Sequence, residues 1–366
     1  MRLDRLKQRL DSTDVRSIAV IKPSALGDVV QSLSLLPVLR ERFPAARISW
    51  VIRDSLSPLV SGHPDLFEWI GYRRGEGWHA WRSLLLCLKQ RRFDLALDLQ
   101  GLLRTGLMVH ATGAPVRIGL ETAREGSGLA CHALLNDTGR AVPAHRRYWR
   151  VAEFLGLGNR RPETTFSIGA DDRSWADKLI GELGNRVVAV HPGARWQTKR
   201  WPLEQFAVVA AHVIRHHNAA VVLVGSPEER IAASRLKELA LRLAPEGCVR
   251  NLAGETNLKQ LAALLGSVQS LVTNDSGPMH LAAALGTPVV GLFTCTSATR
   301  SGPPPGPHVL IESTVECAGT YNRRCPNRGP RKLACLQDIA AASACDGLDK
   351  LLRPAAFDPA PSLRVA

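Results

Sequence analysis

The stretch Ser17–Arg42, SIAVIKPSALGDVVQSLSLLPVLRER, decides the fold. It opens on a short, continuously apolar run, Ser17 to Ile21, of the kind that forms a strand buried on both faces. A loop carrying Gly27 and Asp28 follows. From Asp28 to Arg42 the residues Val29, Leu33, Leu36 and Leu39 recur along one helical side, with a kink or a short first helix expected at Pro37. This strand–loop–helix unit then repeats. Strands are predicted over Arg47–Ile52, Leu95–Leu99 and Val116–Gly119, and a helix over Trp81–Gln90. A region richer in Gly, Pro, Arg and Glu, Gly156–Asp172, reads as a linker, after which the alternation restarts. Strands follow at Val187–Val190, Ala220–Gly225, Ser270–Thr273 and Val289–Phe293. Helices are predicted over Leu203–His216, Glu228–Leu243, Leu258–Leu265 and Met279–Leu285. Repeated βα units imply parallel sheets covered by helices on both faces. The predicted fold is therefore α/β, with two doubly wound Rossmann-like domains at 1–160 and 173–335. Residues 336–353 would form a terminal helix returning to the first domain, and the chain beyond Arg353 reads as a disordered tail. Ser297–Pro330 reads as irregular. Ligands in such sheets bind at the carboxyl ends of the strands, so a cleft between the two halves would collect both sets of ends.

A length of 366 residues suits two domains, each with its own core. The formal net charge is +14, which favours anionic partners. Aromatic residues are only 5% and no basic-aromatic RNA-binding signature is present, so phosphorylated sugar or lipid fits better than nucleic acid. The N-terminus lacks the apolar core of a secretory signal, and no apolar run is long enough to span a membrane, so a cytoplasmic location is expected. Leu3, Leu6 and Leu10 lie at helical spacing among Arg2, Arg5, Lys7 and Arg9. They fit either a helix docked on the first domain, which is favoured, or one touching an anionic membrane surface. Of the eight cysteines, Cys317, Cys325, Cys335 and Cys345 lie late, and none shows CxxC spacing. Reduced thiols are expected there rather than a structural metal.

Three loops carry candidate chemistry. In the first, Lys22–Asp28, Gly27 would permit a tight turn or close approach to a ligand, and Asp28 stands where a helix N-cap would stand. Asp28 could simply cap, or it could remove the proton from an acceptor hydroxyl. The loop is not GxGxxG, so a nicotinamide fingerprint is absent. In the second, Thr273–His280, Ser276 can cap, Pro278 suits a first helical turn, and the free amides form an anion site near Asp275 and His280. In the third, His191–Pro202, Arg195, Lys199 and Arg200 can neutralise a diphosphate. A further loop, Gly225–Arg230, offers an acidic residue that could bind ribose hydroxyls or merely favour the helix dipole.

Taken together, these segments resemble glycosyltransferase family 9, the ADP-heptose:lipopolysaccharide heptosyltransferases. The resemblance is carried by KPSALGDVVQSLSLLPVLRERFP at 22–44, LDLQGLLRTG at 97–106, HPGA and KRWP within 191–202, and TNDSGPMHLAAALGTPVVGLF at 273–293. It implies the GT-B fold and an inverting, metal-independent transferase that needs no cofactor. It implies Asp28 as general base, with Ser24 and Gly27 on the acceptor side. It implies Lys199 against the donor's phosphates, and Asp275, Ser276, Gly277 and His280 as a donor-binding corner. Glu229, or Glu228, would lie near the ribose. Glu121–Glu125, ETARE, looks like the acceptor segment of the heptosyltransferase I type, which makes Arg124 the acceptor-side arginine. Cys317 to Leu336 resembles a cysteine-bearing lobe of some relatives, with Thr320 where their CxxC would place a second cysteine. The implied partners are ADP-heptose or a similar nucleotide sugar and an anionic lipopolysaccharide core precursor, with peripheral contact to the inner membrane. The alternatives are a GT-B nucleotide-sugar epimerase, a transferase for another sugar or a protein acceptor, and a basic nucleic-acid or membrane-binding protein.

Overall fold

The computed structural model describes residues 3–73, 75–158 and 163–352. The chain divides into two compact units, one ending at Ser167 and the other beginning at Ile168. The tail expected beyond Arg353 and part of the expected linker lie outside the described residues.

The first unit opens with α1 (Leu3–Ser12), β1 (Ser17–Ile21), α2 (Leu26–Ser32) and α3 (Leu35–Arg42). It continues through β2 (Arg47–Arg53), β3 (Glu68–Tyr72), α4 (Gly77–Gln90), β4 (Leu95–Asp98) and α5 (Leu103–Ala111). β5 (Val116–Leu120), β6 (Ala133–Leu135) and α6 (Ala144–Phe154) complete it. Its six strands run parallel in the order β3-β2-β1-β4-β5-β6. The opening apolar run is thus an inner strand, and Ile18, Ala19, Val20 and Ile21 are all fully buried. Of the kink or short first helix expected, the short first helix forms. α2 ends at Ser32 and α3 starts at Leu35, which puts Pro37 third in the new helix, where its missing N–H has no intrahelical partner to lose. Leu6 and Leu10 of α1 are buried against the first unit, so that helix uses its leucines for docking.

The second unit begins with α7 (Ala170–Glu182), β7 (Val187–His191), α8 (Leu203–His217), β8 (Ala220–Leu223) and α9 (Arg230–Leu243). It continues with β9 (Val249–Asn251), α10 (Leu258–Ser267), β10 (Ser270–Asn274), α11 (Gly277–Ala284) and β11 (Val289–Phe293). α12 (Ala298–Ser301), β12 (His308–Glu312), α13 (Ala334–Gln337) and α14 (Ala341–Leu352) complete it. The strands are again all parallel, in the order β12-β11-β10-β7-β8-β9. Counted from its own first strand, this is the same 3-2-1-4-5-6 winding as in the first unit.

Two expectations are corrected. The residues Ala170–Asp172 of the expected linker already form the first turn of α7. The stretch expected to be irregular after Ser297 contains an edge strand, β12, paired with β11. The terminal helix expected over 336–353 forms as α14. Ala341, Ala344, Cys345 and Leu348 are buried with Phe206, Val209, Ala210 and Val213 of α8 in the second unit's own core.

Candidate active site

In both units the strand order reverses beside the first strand, between β1 and β4 and between β7 and β10. Loops leaving the carboxyl ends of two such strands diverge to opposite sides and leave a crevice, the usual ligand site of these sheets. The candidate residues concentrate at these two places.

In the first unit, Asp28 is not the N-cap of α2 but its third residue, with Ala25 at the cap. Its carboxylate accepts a long hydrogen bond from the Ala25 N–H (3.4 Å) and lies 3.8 Å from Lys22 Nζ, with 41% of the side chain exposed. Gly27 is a buried residue within the helix, so the tight-turn reading fails. Ser24 is half-buried in the loop before it. Lys22 had no role assigned from sequence. It is nearly fully buried, and its ammonium donates to the Leu99 carbonyl at 2.9 Å. Burial pushes its pKa down, but Asp28, Tyr148 and Asp98 outweigh that, and the net direction is up. Lys22 is therefore a charged post linking the Asp28 loop to the loop after β4. Asp98 shapes that second loop, accepting from the Gln100 and Gly101 amides at 3.0 and 2.9 Å and from the Thr105 hydroxyl at 3.2 Å. Gly101 has φ +68°, and a Cβ there would lie 2.9 Å from Ala123 Cα. This close approach lets the Arg124 N–H donate to the Gly101 carbonyl at 3.0 Å, while Arg124 itself is exposed. Asp28, Lys22, Leu99–Gly101 and Arg124 are in this way connected residue to residue.

In the second unit the loop after β7 meets the corner after β10. His191 and Thr273 are register partners, which brings their side chains together at 3.2 Å. His191 Nδ1 also lies 3.1 Å from Ser276 Oγ, and Nε2 lies 3.3 Å from Glu229 Oε2. Ser276 occupies the N-cap position of α11, but its hydroxyl turns to His191 and Thr273 rather than capping. Of the two acidic candidates after β8, Glu229 reaches this network and Glu228 is exposed. Burial raises the Glu229 carboxyl, yet His191 and the Ser226 amide, which donates at 2.8 Å, bring it down to about 2. Lys199, on a short 3-10 turn, forms an ion pair with Asp275 at 2.6 Å and lies over the Trp196 ring. His280 is buried one turn into α11, and Gly277 opens that helix. Arg200 Nε bonds the Ala194 carbonyl at 2.7 Å, so Arg200 braces its own loop.

Sequence reasoning had passed over His191 and Asn274, although both lie in segments singled out above. Asn274 is fully buried and accepts from the Trp201 N–H at 3.1 Å while donating to the Pro192 carbonyl at 2.8 Å. It locks the two loops together. A position at the carboxyl end of a central strand was the available signal for both.

The fit around Glu229 is close. A Cβ on Gly193 would fall 1.8 Å from Glu229 Oε1. Gly193→Ala is expected to swing the carboxylate away from Ser226 and His191, costing roughly 1–3 kcal/mol of stability. Urea unfolding that matched the parent protein would show that the glycine is not needed for this packing.

The profile of glycosyltransferase family 9 (heptosyltransferase) matches residues 81–329. The chain is 30% identical to the lipopolysaccharide core heptosyltransferase OpsX of Haemophilus influenzae, over 79% of this chain and 82% of that protein. It is 31% identical to lipopolysaccharide heptosyltransferase 2 of Escherichia coli, over 78% of this chain and 85% of the relative. The solved structure of the E. coli ADP-heptose lipopolysaccharide heptosyltransferase II superposes with a TM-score of 0.73 at 28% identity, covering 92% of this chain and 98% of that one. The two parallel six-stranded units are those of the GT-B fold.

Proposed function

The chain belongs to glycosyltransferase family 9, the heptosyltransferases, and from that premise we propose that it transfers a heptose from ADP-heptose to the inner core of lipopolysaccharide. The observation that carries this reading is the meeting of Lys199–Asp275, Ser276, His191 and Glu229 at the switch point of the second sheet. A cation and the amino end of a helix together suit a diphosphate, and a carboxylate accepting hydrogen bonds suits ribose hydroxyls.

The first unit takes the acceptor. Asp28 removes the proton from an acceptor hydroxyl, and the oxygen attacks the anomeric carbon from the face opposite the nucleotide. The bond from that carbon to the diphosphate oxygen breaks, and ADP leaves with the electron pair, so configuration inverts. Lys199 and the amides opening α11 stabilise the developing negative charge, a role that needs no metal ion. In this reading Arg124 meets an anionic acceptor sugar, and its exposure beside the loop after β4 supports that role. The net charge of +14 favours an anionic lipid acceptor and peripheral contact with the membrane that holds it. Among the described residues no helix is long and apolar enough to cross a membrane.

The test is transfer from ADP-heptose to Kdo-lipid A, with a parallel acceptor lacking Kdo. Kdo-dependent transfer is the expected result. ADP-heptose binding without transfer would move the acceptor to heptosylated core or protein. Epimerised sugar formed without any acceptor, or no binding of ADP-heptose, would overturn the proposal.

A further inference from the structure

α8 ends at His217, after fifteen residues that begin beside the His191–Pro202 loop. At about 1.5 Å per residue, its last turn lies roughly 20 Å from its first, toward the amino ends of the strands. Three potential metal ligands meet there. His212 and His217 of α8 each place Nε2 2.7 Å from the same oxygen, Oδ1 of Asp349 on α14. All three ligand atoms lie within 4.8 Å of one another, and among the described residues no other three His, Cys, Asp or Glu groups meet that condition. Nothing in the transfer reaction uses them.

We propose that His212, His217 and Asp349 bind one divalent transition-metal ion of the zinc class, and that the ion fastens α14 to α8. Two imidazoles and a carboxylate are a borderline nitrogen–oxygen set, which suits zinc, cobalt or nickel and is a poor match for magnesium or calcium. The ligands stand on rigid supports. α8 buries Phe206, Val209, Ala210 and Val213, and α14 buries Ala344, Cys345 and Leu348, all in one core. His216 packs against the His212 ring at 4.5 Å and limits its rotation. The site is also open to an ion from solution, since the imidazole side chains are 19% exposed and the carboxylate 35%. Without metal, both imidazoles donate Nε2–H to one carboxylate oxygen. With metal, they shift to the Nδ1–H tautomer and present the Nε2 lone pairs, so neutral rings bind with no net proton loss. The late thiols do not compete by geometry. Cys295, Cys317, Cys325 and Cys335 are all free, and no three of them converge to the same distance.

The experiment uses the full-length chain with no histidine tag, stripped with chelator and titrated with Co2+ and Zn2+. One equivalent should bind, with a cobalt ligand-field spectrum lacking the intense thiolate-to-metal band. Zinc at about a hundredfold excess over Kd should raise the melting temperature by on the order of 5 °C. In H217Q and D349N the affinity should fall by more than the roughly 10–100-fold that outer-shell partners cost, and the thermal shift should vanish. Metal-free melting curves of both variants show whether they are folded, and H217Q, the milder change, stands if D349N does not. The proposal is overturned by absence of stoichiometric binding to the parent chain, by unchanged affinity in a folded variant, or by a thiolate-dominated cobalt spectrum.

Discussion

Asp28→Asn should lower the rate of heptose transfer by about 10²–10⁴-fold, the usual contribution of a positioned general base. Affinity for the nucleotide sugar should stay within about twofold, because an interaction made only on the way to the transition state is lost from kcat and not from donor binding. Asparagine is the informative substitution. It keeps the size of the side chain and still accepts from the Ala25 N–H, while Lys22 retains the Leu99 carbonyl. The first unit should therefore stay folded and melt only slightly lower, since the buried Lys22 ammonium loses one of the charges that hold its pKa up. Single-turnover rates, donor titration and a melting curve on the same preparation separate the outcomes. A transfer rate within tenfold of the parent would remove Asp28 as the base. A collapse of donor affinity or of stability would make it a structural residue that happens to pair with Lys22.

Lys199→Ala should weaken ADP-heptose and ADP binding by about 2–5 kcal/mol, the cost of truncating one partner of a buried charge pair, which is roughly thirtyfold to a few thousandfold in Kd. Two effects add in the same direction. The cation facing the diphosphate is lost, and Asp275, only 6% exposed at its side chain, loses the ammonium 2.6 Å away. The second effect can be separated from the first. Lys199→Ala combined with Asp275→Asn should recover part of the affinity lost in the single variant, because the unpaired carboxylate no longer repels the phosphates. Calorimetric titration with ADP reads both. Unchanged ADP affinity in Lys199→Ala would take the lysine out of the donor site. Equal losses in single and double variants would show that the unpaired Asp275 carboxylate adds nothing and that the missing cation is the whole cause.

The strands that were legible in the sequence share a property. β1, β2, β4, β5, β7, β8, β10 and β11 are the inner strands of their sheets, and all were read as strands. β3, β6, β9 and β12 were missed, and they are the four edge strands. Covered on both faces, an inner parallel strand must be apolar throughout, and that leaves a signal. An edge strand such as EWIGY, Glu68–Tyr72, is partly exposed and takes a mixed pattern indistinguishable from a loop. α6, AHRRYWRVAEF, was missed for a related reason. Its charged residues conceal a buried side that includes Tyr148 and Val151.

At the site, the sequence by itself determined which loops matter, because a glycine, a proline and an acidic residue between an apolar strand and a helix are a local pattern. It could not determine what each side chain touches. Glu228 and Glu229 are neighbours of the same type, and only the path of the chain after β8 aims Glu229 at His191. Ser276 has the sequence of a cap, and the register of β7 against β10 gives its hydroxyl to His191 instead. Lys22 becomes a buried post because Leu99, far along the chain, presents a carbonyl in the adjacent strand's loop. His212, His217 and Asp349 carry no motif at all and meet because two amphipathic helices share one core. Local patterning fixes strand, loop and helix because burial acts on each segment separately. Partnership between distant side chains is decided by strand order and helix packing, which depend on the whole chain at once.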